Sequence, residues 1–154
     1  MPVTVIPVYG DQGNDTLSGG AGQDRLYGGG GRDRVIGQAG RDILSGGADA
    51  DIFQYNSVTD STVQIAGRDT INDFNAANTD RISLTNIDAN ADGGTANDAF
   101  TFRGTAAFTG LGQVRYAQNG ANTIVSLNTT GSIAADMEIT LTGVMMLNAA
   151  DFLL

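Results

Sequence analysis

The stretch GGAGQDRLYGGGGRDRVI, from Gly19 to Ile36, contains two nine-residue units of one pattern in tandem and predicts the architecture of the chain. The same period continues in both directions. It gives five units without a gap from Gly10 to Gln54, which read GDQGNDTLS, GGAGQDRLY, GGGGRDRVI, GQAGRDILS and GGADADIFQ. Five periods in register form a repeat array, so the units have to be interpreted together.

Each unit consists of a six-residue glycine-rich half and a three-residue half with an apolar middle position. The first half suits a tight turn with left-handed backbone angles, and the second suits a short strand whose middle side chain points inward. Two turns and two strands make one coil, and stacked coils predict a right-handed parallel β-roll. Leu17, Val35 and Phe53 then lie in one sheet, and Leu26 and Leu44 lie in the other.

After Gln54 the period is lost and short alternating segments follow, namely AFTFRG, GQVRYAQ, NTIVSLN and MEITLTGV. Their alternation predicts strands, and the NG at Asn119 and the TTG at Thr129 predict turns between them. The ending LNAADFLL predicts a helical turn before a last short strand. We therefore predict an all-β fold in two parts, the parallel β-roll over residues 1–54 and a β-sandwich-like cap over residues 55–154.

The composition excludes several kinds of site. The 154 residues include no Cys, His or Trp, which rules out disulfides, thiolate or imidazole metal ligands, and triads built on Cys or His. A net charge of −9 argues against nucleic acid or an anionic membrane as a partner, and no apolar run is long enough to span a membrane. The N-terminus lacks the pattern of a secretory signal peptide. Glu138 falls in an alternating strand and is predicted to face solvent.

The aspartates of the repeats predict a metal. Stacking places Asp15, Asp33 and Asp51 on one edge of the roll and Asp24 and Asp42 on the other, with neighbours about 5 Å apart. Adjacent carboxylates at that distance repel by about 3 kcal/mol at an effective dielectric near 20, so the array needs a cation between its turns. Carboxylate and turn carbonyl oxygens, with no nitrogen or sulfur, favour Ca²⁺ over Zn²⁺ or copper.

These units resemble the nonapeptide G-G-x-G-x-D-x-U-x of the RTX (repeats-in-toxin) proteins, which bind Ca²⁺. The resemblance implies an ion between each unit and the unit after next, hence about three ions in the roll. It implies side-chain ligands at Asp15, Asp24, Asp33, Asp42 and Asp51. It also implies carbonyl ligands at Gly10, Gly13, Gly19, Gly20, Gly22, Gly28, Gly29, Gly31, Gly37, Gly40, Gly46 and Gly47.

Three residues depart from that glycine pattern. Asp11 and Gln38 replace the second glycine of their units, and Asp49 replaces the fourth. A carbonyl ligand survives such a replacement, but a side chain at a left-handed position is strained. We expect this strain to weaken the sites concerned, above all the one that uses Asp49.

The rest of the chain is similar to the C-terminal domain of serralysin-type metalloproteases, in segments such as GGADADIFQY, DSTV, GRDTINDF, TDRISL and AADFLL. The resemblance implies one more Ca²⁺ in the β-sandwich-like part, held by Asp60, Asp69 and Asp80. The alternative is that these aspartates only stabilise turns and helix ends. Secreted proteases, lipases, adhesins and alginate epimerases carry such modules. Because the H-E-x-x-H helix of a metalloprotease is absent, the chain is expected to be the non-catalytic C-terminal module of a secreted enzyme such as a metalloprotease or a mannuronan C5-epimerase, or else a small stand-alone RTX protein.

The resemblance also implies export by the type I secretion apparatus and an extracellular location. The ending ADFLL resembles the C-terminal signal of that route; the alternative is a last strand that closes the sandwich, and the two are compatible. Extracellular calcium modules bind with dissociation constants of about 10⁻⁴ to 10⁻³ M. The chain should therefore stay unfolded where Ca²⁺ is scarce and fold after export.

Four arginines suggest an alternative function. Arg25, Arg32, Arg34 and Arg41 occupy outward positions of the second to fourth units. They could form a cationic face for an acidic polysaccharide such as alginate, as in the repeat modules of alginate epimerases. Local compensation of the aspartate charge explains the same residues, and the sequence leaves both interpretations open.

Overall fold

The computed structural model describes Val5, residues 7–93 and residues 97–154. Thirteen β-strands and three short 3₁₀ turns make up the regular structure of these ranges, which contain no α-helix. The predicted all-β fold is confirmed.

The repeats form six strands that alternate between two sheets. They are β1 (Pro7–Gln12), β2 (Thr16–Ser18), β3 (Arg25–Gly30), β4 (Arg34–Ile36), β5 (Ile43–Ala48) and β6 (Ile52–Gln54). The odd-numbered strands pair in parallel in one sheet and the even-numbered strands in the other. Leu26 faces Leu44 and Val35 faces Phe53 across one coil, as the repeat period predicts. All five inward side chains are buried.

The remaining strands continue both sheets. They are β7 (Thr70–Ile71), β8 (Arg81–Ser83), β9 (Thr101–Phe102), β10 (Gln113–Asn119), β11 (Asn122–Asn128), β12 (Met137–Thr142) and β13 (Phe152–Leu153). One sheet has the order β1-β3-β5-β7-β12-β11-β10-β9, and the other has the order β13-β8-β6-β4-β2. The roll and the residues after Gln54 share both sheets, and Gln54 marks the end of the regular sequence period.

Stacking continues past Gln54 because β7 and β8 supply the next inward side chains. Ile71 lies beside Leu44 and Ile82 beside Phe53, and both isoleucines are fully buried. A single hydrophobic core therefore extends from Leu17 through the roll into the strands β10, β11 and β12. Burial of this continuous core ties the short parallel strands to the longer antiparallel ones.

The chain ends as the sequence predicts, with a turn and a short strand. Asn148 caps a 3₁₀ turn at Ala149–Asp151, since its side chain accepts a hydrogen bond from the Ala150 amide at 2.9 Å. The Asp151 carboxylate accepts one from the Asn148 amide at 2.7 Å, which completes a capping box. Strand β13 then pairs with β8 at the edge of the five-stranded sheet.

The predicted departures from glycine lie at left-handed backbone angles. Asp11, Gln38 and Asp49 have φ of 70°, 69° and 73°. A residue with a Cβ costs about 1 to 2 kcal/mol in this region, although aspartate tolerates it better than most. The expected strain is present in three of the five units.

Candidate metal centre

The repeat aspartates form a ladder along each edge of the roll. One carboxylate oxygen, Oδ1, accepts a hydrogen bond from the backbone amide of the aspartate one coil earlier. This bond is 2.8 Å from the Asp15 amide to Asp33 and from the Asp24 amide to Asp42. It is also 2.8 Å from the Asp33 amide to Asp51. Each ladder holds its carboxylates at a fixed orientation in the turn.

The second oxygen of these carboxylates faces inward without a hydrogen bond. In the described part of the chain, Oδ2 is buried and has no partner in Asp15, Asp24, Asp33, Asp42, Asp51 and Asp69. A buried carboxylate oxygen left without a partner costs several kcal/mol, and native proteins avoid it unless an ion or water satisfies the group. Six such oxygens at equivalent positions fit a series of bound cations.

In the five repeat units the unpartnered oxygen lies over the first glycine of its own unit. A Cβ built on Gly19 would lie 2.8 Å from Asp24 Oδ2 and 2.8 Å from the carbonyl oxygen of Gly37. The same two kinds of oxygen surround Gly10, and they surround Gly28 at still shorter range. Glycine leaves open a small space in which a carboxylate and a carbonyl of the next coil converge.

Other glycines allow the turns to stack closely. A Cβ on Gly40 would overlap the carbonyl oxygen of Gly22, and one on Gly47 would overlap that of Gly29. Both residues have positive φ, of 146° and 102°. Of the twelve glycines that the sequence proposed as carbonyl ligands, seven lie between strands, and Gly10, Gly28, Gly29, Gly46 and Gly47 lie within β1, β3 and β5, which extend into the glycine half of their units.

The donor set of each turn consists of oxygen alone. Within residues 5, 7–93 and 97–154, no three acidic side chains gather into a group that could hold a metal by themselves. Two carboxylates from neighbouring coils would therefore need turn carbonyls to complete a coordination shell. Such a mixed shell of carboxylate and carbonyl oxygens suits Ca²⁺, which takes six to eight ligands with variable geometry.

Burial penalises the negative charge of these carboxylates. It raises the pKa of Asp42 and the pKa of Asp51 to about 6, with smaller contributions from neighbouring aspartates. Burial, and next the charge of Asp42, raise the pKa of Asp69 to about 8. At neutral pH Asp69 would therefore be mostly protonated in the folded chain unless a positive charge lay beside it, and the ionised forms of Asp42 and Asp51 are disfavoured by burial.

Of the three aspartates proposed for a cap site, Asp69 continues a ladder of the roll. Its Oδ1 accepts from the Asp42 amide at 2.7 Å, and its Oδ2 makes no well-formed hydrogen bond among the described residues, although the buried Tyr55 hydroxyl lies close enough to the carboxylate to lower its pKa. The sequence contains a signal for this continuation, because GRDTI at Gly67–Ile71 repeats GRDIL of the fourth unit.

The other two aspartates make different contacts. Asp80 stacks on Asp51 at the opposite edge, and its Oδ2 accepts from the Asn75 amide at 2.9 Å. Asp60 lies near Asp42 and Asp69, and its Oδ2 accepts from two local backbone amides at 2.8 and 3.1 Å. The three are thus divided between the two edges of the roll.

The family model described as Peptidase M10 serralysin C terminal matches residues 3–154. The chain belongs to the serralysin C-terminal family. A search of curated proteins found no match for this serralysin C-terminal chain.

Two solved structures of similar fold are subunits of one enzyme. The solution structure of the AlgE6R2 subunit from the Azotobacter vinelandii mannuronan C5-epimerase is 26% identical to the serralysin C-terminal chain. The likeness has a TM-score of 0.59 and covers 99% of this chain and 94% of that one. The AlgE6R3 subunit of the same epimerase is also 26% identical, with a TM-score of 0.49 and coverage of 98% and 81%. No helix in the described ranges of the serralysin C-terminal chain is long and apolar enough to cross a membrane.

Asp73 of the serralysin C-terminal chain also belongs to this edge of the roll, although the repeat pattern did not reveal it. Its two carboxylate oxygens accept from the amides of Gly46 and Gly47 at 3.0 Å each. In earlier coils the corresponding amides donate to carbonyl oxygens of the next turn, as the Gly20 amide does to the Gly37 carbonyl. Asp73 therefore closes the last turn of its edge, and burial raises its pKa.

The four arginines of the repeats fall into two pairs. Arg25 begins β3 in the eight-stranded sheet, and with Arg41 it lines one shallow hollow. Arg34 begins β4 in the five-stranded sheet, and with Arg32 it lines another hollow. The pairs thus lie on different sheets of the serralysin C-terminal fold.

The prediction that Glu138 faces solvent is wrong in part. Glu138 lies on the outer face of β12, but it is half-buried, forms an ion pair with Arg68 and accepts a hydrogen bond from Ser126 at 3.1 Å. The alternating pattern correctly predicted that Glu138 lies on the outer face of its strand. It could not reveal that Arg68, in the loop before β7, pairs with Glu138.

Proposed function

We propose that this chain is a calcium-binding module that folds when it binds Ca²⁺. The observation that carries the proposal is the series of six buried aspartate oxygens that lack a partner among the described residues. In the five repeat units this oxygen lies against the first glycine of the unit, whose missing Cβ lets the carboxylate approach the turn closely. The membership in the serralysin C-terminal family, together with the RTX-type repeats, supports the same conclusion.

The ligand geometry suggests where the ions lie. Ions between units one and three, two and four, and three and five would use Asp15, Asp24, Asp33, Asp42 and Asp51 together with the turn carbonyls. A further ion fits between Asp42 and Asp69, because Asp69 repeats the ladder contact and the unpartnered oxygen of the other units. We assign this position to the additional cap ion, in place of a site that joins Asp60, Asp69 and Asp80.

Calcium binding would make folding depend on the compartment. The charges of the stacked aspartates oppose the apo fold, so the module would remain unfolded at the low Ca²⁺ concentration inside a cell and fold outside it. The type I secretion apparatus would export the unfolded chain. The terminal ADFLL would have to be read before folding, because Phe152 and Leu153 pair with β8 in the folded module.

The module itself would have no catalytic role. The repeat aspartates are engaged in the ladders, and Glu138 is paired with Arg68. The serralysin C-terminal family is named for the C-terminal part of a peptidase, and the similar AlgE6R2 subunit is likewise part of an enzyme. We propose that the chain stabilises an extracellular protein of this modular kind.

Native mass spectrometry tests the calcium proposal by counting bound ions. At millimolar Ca²⁺ we expect about four ions, since three lie between repeat pairs and one lies at Asp69. Replacing Asp69 with asparagine should remove one ion, whereas Asp98→Asn, an exposed acid outside the roll, should remove none. Equal loading with Mg²⁺, or no bound ions at all, would contradict the proposal.

A second candidate function is the binding of an acidic polysaccharide. Its support is the exposed pair Arg25 and Arg41 in one hollow, and the likeness to a subunit of an enzyme named for mannuronan, a polyuronate. Arg32 and Arg34 lie elsewhere, so the surface concerned has to be defined from the structure and not from the repeat pattern.

A further inference from the structure

The outer face of the eight-stranded sheet forms one uninterrupted surface from the roll to the cap. Its strands are in register across the whole width. Residues in one lateral row are Pro7, Arg25, Ile43, Thr70, Thr140, Ile124 and Ala117. A neighbouring row contains Tyr9, Tyr27 and Ser45 on the roll and Thr142, Asn122 and Asn119 on the cap.

Three hollows on this face join into one groove. The first, at Arg25 and Arg41, has a volume of about 110 Å³. The second has about 330 Å³ and shares Arg41 with the first. The third has about 390 Å³ and shares Ile65 and Arg68 with the second. The groove thus crosses the strands from β3 to β10, and five interstrand spacings give it a length of about 24 Å.

The groove carries positive charge on an acidic protein. Arg25, Arg41, Arg68 and Arg115 line it, which is half of the eight arginines of a chain with a net charge of −9. Two acids also line the groove, since Glu138 pairs with Arg68 and Asp24 lies in the first hollow. Four arginines against these two acids leave the groove positive, with Arg25 and Arg41 toward one end and Arg115 toward the other. A row of separated guanidinium groups complements a ligand with carboxylates at intervals.

The remaining lining offers neutral hydrogen-bonding groups, and two stacked tyrosines lie in the neighbouring row of the same face. Asn119, Asn122 and Thr140 contribute amides and a hydroxyl at the centre. Beside Arg25, Tyr9 stacks on Tyr27 with ring centroids 5.1 Å apart, and Tyr9 is 61% exposed. Amide groups bind hydroxyls, and an exposed aromatic ring packs against the apolar face of a sugar.

We propose that this groove binds a linear polysaccharide that carries carboxylates, laid across the strands of the eight-stranded sheet. The inference rests on the second candidate function and on the calcium-loaded fold, and it specifies the surface. Arg25, Arg41 and Arg115 pair with the carboxylates of the chain, and the central amides bind its hydroxyls. A nucleic acid is disfavoured because its dense phosphates meet the net negative charge of the protein.

Isothermal titration calorimetry of the calcium-loaded protein with mannuronate oligomers tests the groove. Both solutions are dialysed to the same free Ca²⁺, because uronates bind the ion themselves. Arg41→Gln and Arg115→Gln should each weaken binding by about threefold to tenfold, as expected for one charged contact. Arg81→Gln, an exposed arginine on β8 of the other sheet, is the matched control and should change the affinity by less than about twofold.

Three results would overturn the inference, and each contradicts a different part of it. If Arg32→Gln and Arg34→Gln weaken binding while the groove variants do not, the polysaccharide function survives and the groove is wrong. Binding of a neutral glucan oligomer of equal length with the same affinity would contradict the role of the arginines. If the folded, calcium-loaded protein binds no oligomer, the second candidate function fails together with the groove, and the calcium proposal is unaffected.

Discussion

Replacing Asp42 with asparagine should raise the Ca²⁺ concentration required for folding by about tenfold or more. Asp42 lies in the middle of its ladder, between Asp24 and Asp69, and is fully buried. The change removes a charged ligand from two neighbouring positions and turns an amide donor toward the ion. Loss of one charged partner in a buried site costs on the order of a few kcal/mol, and each 1.4 kcal/mol is tenfold in affinity.

The same variant should behave in the opposite way without calcium. Burial raises the pKa of Asp42 to about 6, so its ionised form disfavours the apo fold at neutral pH. Asparagine removes this charge, and residual structure in chelator should equal or exceed that of the wild-type chain. Calcium titrations followed by circular dichroism measure both effects.

Asp49→Asn is the matched control for Asp42→Asn. It removes the same charge from an exposed turn residue, and asparagine tolerates the left-handed φ of 73° at that position. Its calcium midpoint should stay within about twofold of the wild-type value. Equal shifts in the two variants would mean that only net charge matters, and the ligand role of Asp42 would be wrong.

Replacing Gly40 with alanine should destabilise the calcium-loaded fold by about 3 kcal/mol or more. Its φ of 146° is unfavourable for a residue with a Cβ, and the added atom would overlap the carbonyl oxygen of Gly22. Gly22 and Gly40 pair in a parallel bridge, so relief of the overlap would separate the stacked turns. Strain and overpacking each contribute about 1 to 3 kcal/mol.

Gly13→Ala separates these two causes. Gly13 occupies the same place in the first unit and has a φ of 121°, but a Cβ there would meet no described atom within 4 Å. Only backbone strain should act, and the loss should be about 1 to 2 kcal/mol. Urea unfolding at saturating Ca²⁺ measures both variants, and equal losses would contradict the close stacking of Gly22 and Gly40.

The period of nine predicted the roll because it fixes each residue relative to its neighbour one coil away. From it followed the sheet of every inward side chain and the strained positions Asp11, Gln38 and Asp49, and the structure confirms both. Each of these properties depends on local turn geometry and on the pairing of adjacent coils, which a repeat encodes in every unit.

The junction after Gln54 could not be predicted because its contacts join residues far apart in sequence. Asp73 reaches back to the amides of Gly46 and Gly47, and Arg68 pairs with Glu138 seventy residues later. An insertion after Tyr55 conceals the next coil from a search for nine-residue units. The pairing of β7 with β12, which joins the parallel and antiparallel parts of one sheet, likewise leaves no periodic signal.

Far-ultraviolet circular dichroism in excess chelator, followed by titration with Ca²⁺, tests the central claim most directly. The unpartnered carboxylate oxygens of the two edges should keep the roll unfolded without the ion. We predict the spectrum of a largely disordered chain in chelator, and a cooperative gain of strand signal at millimolar Ca²⁺. A β-rich spectrum that is the same in chelator and in calcium would contradict the account.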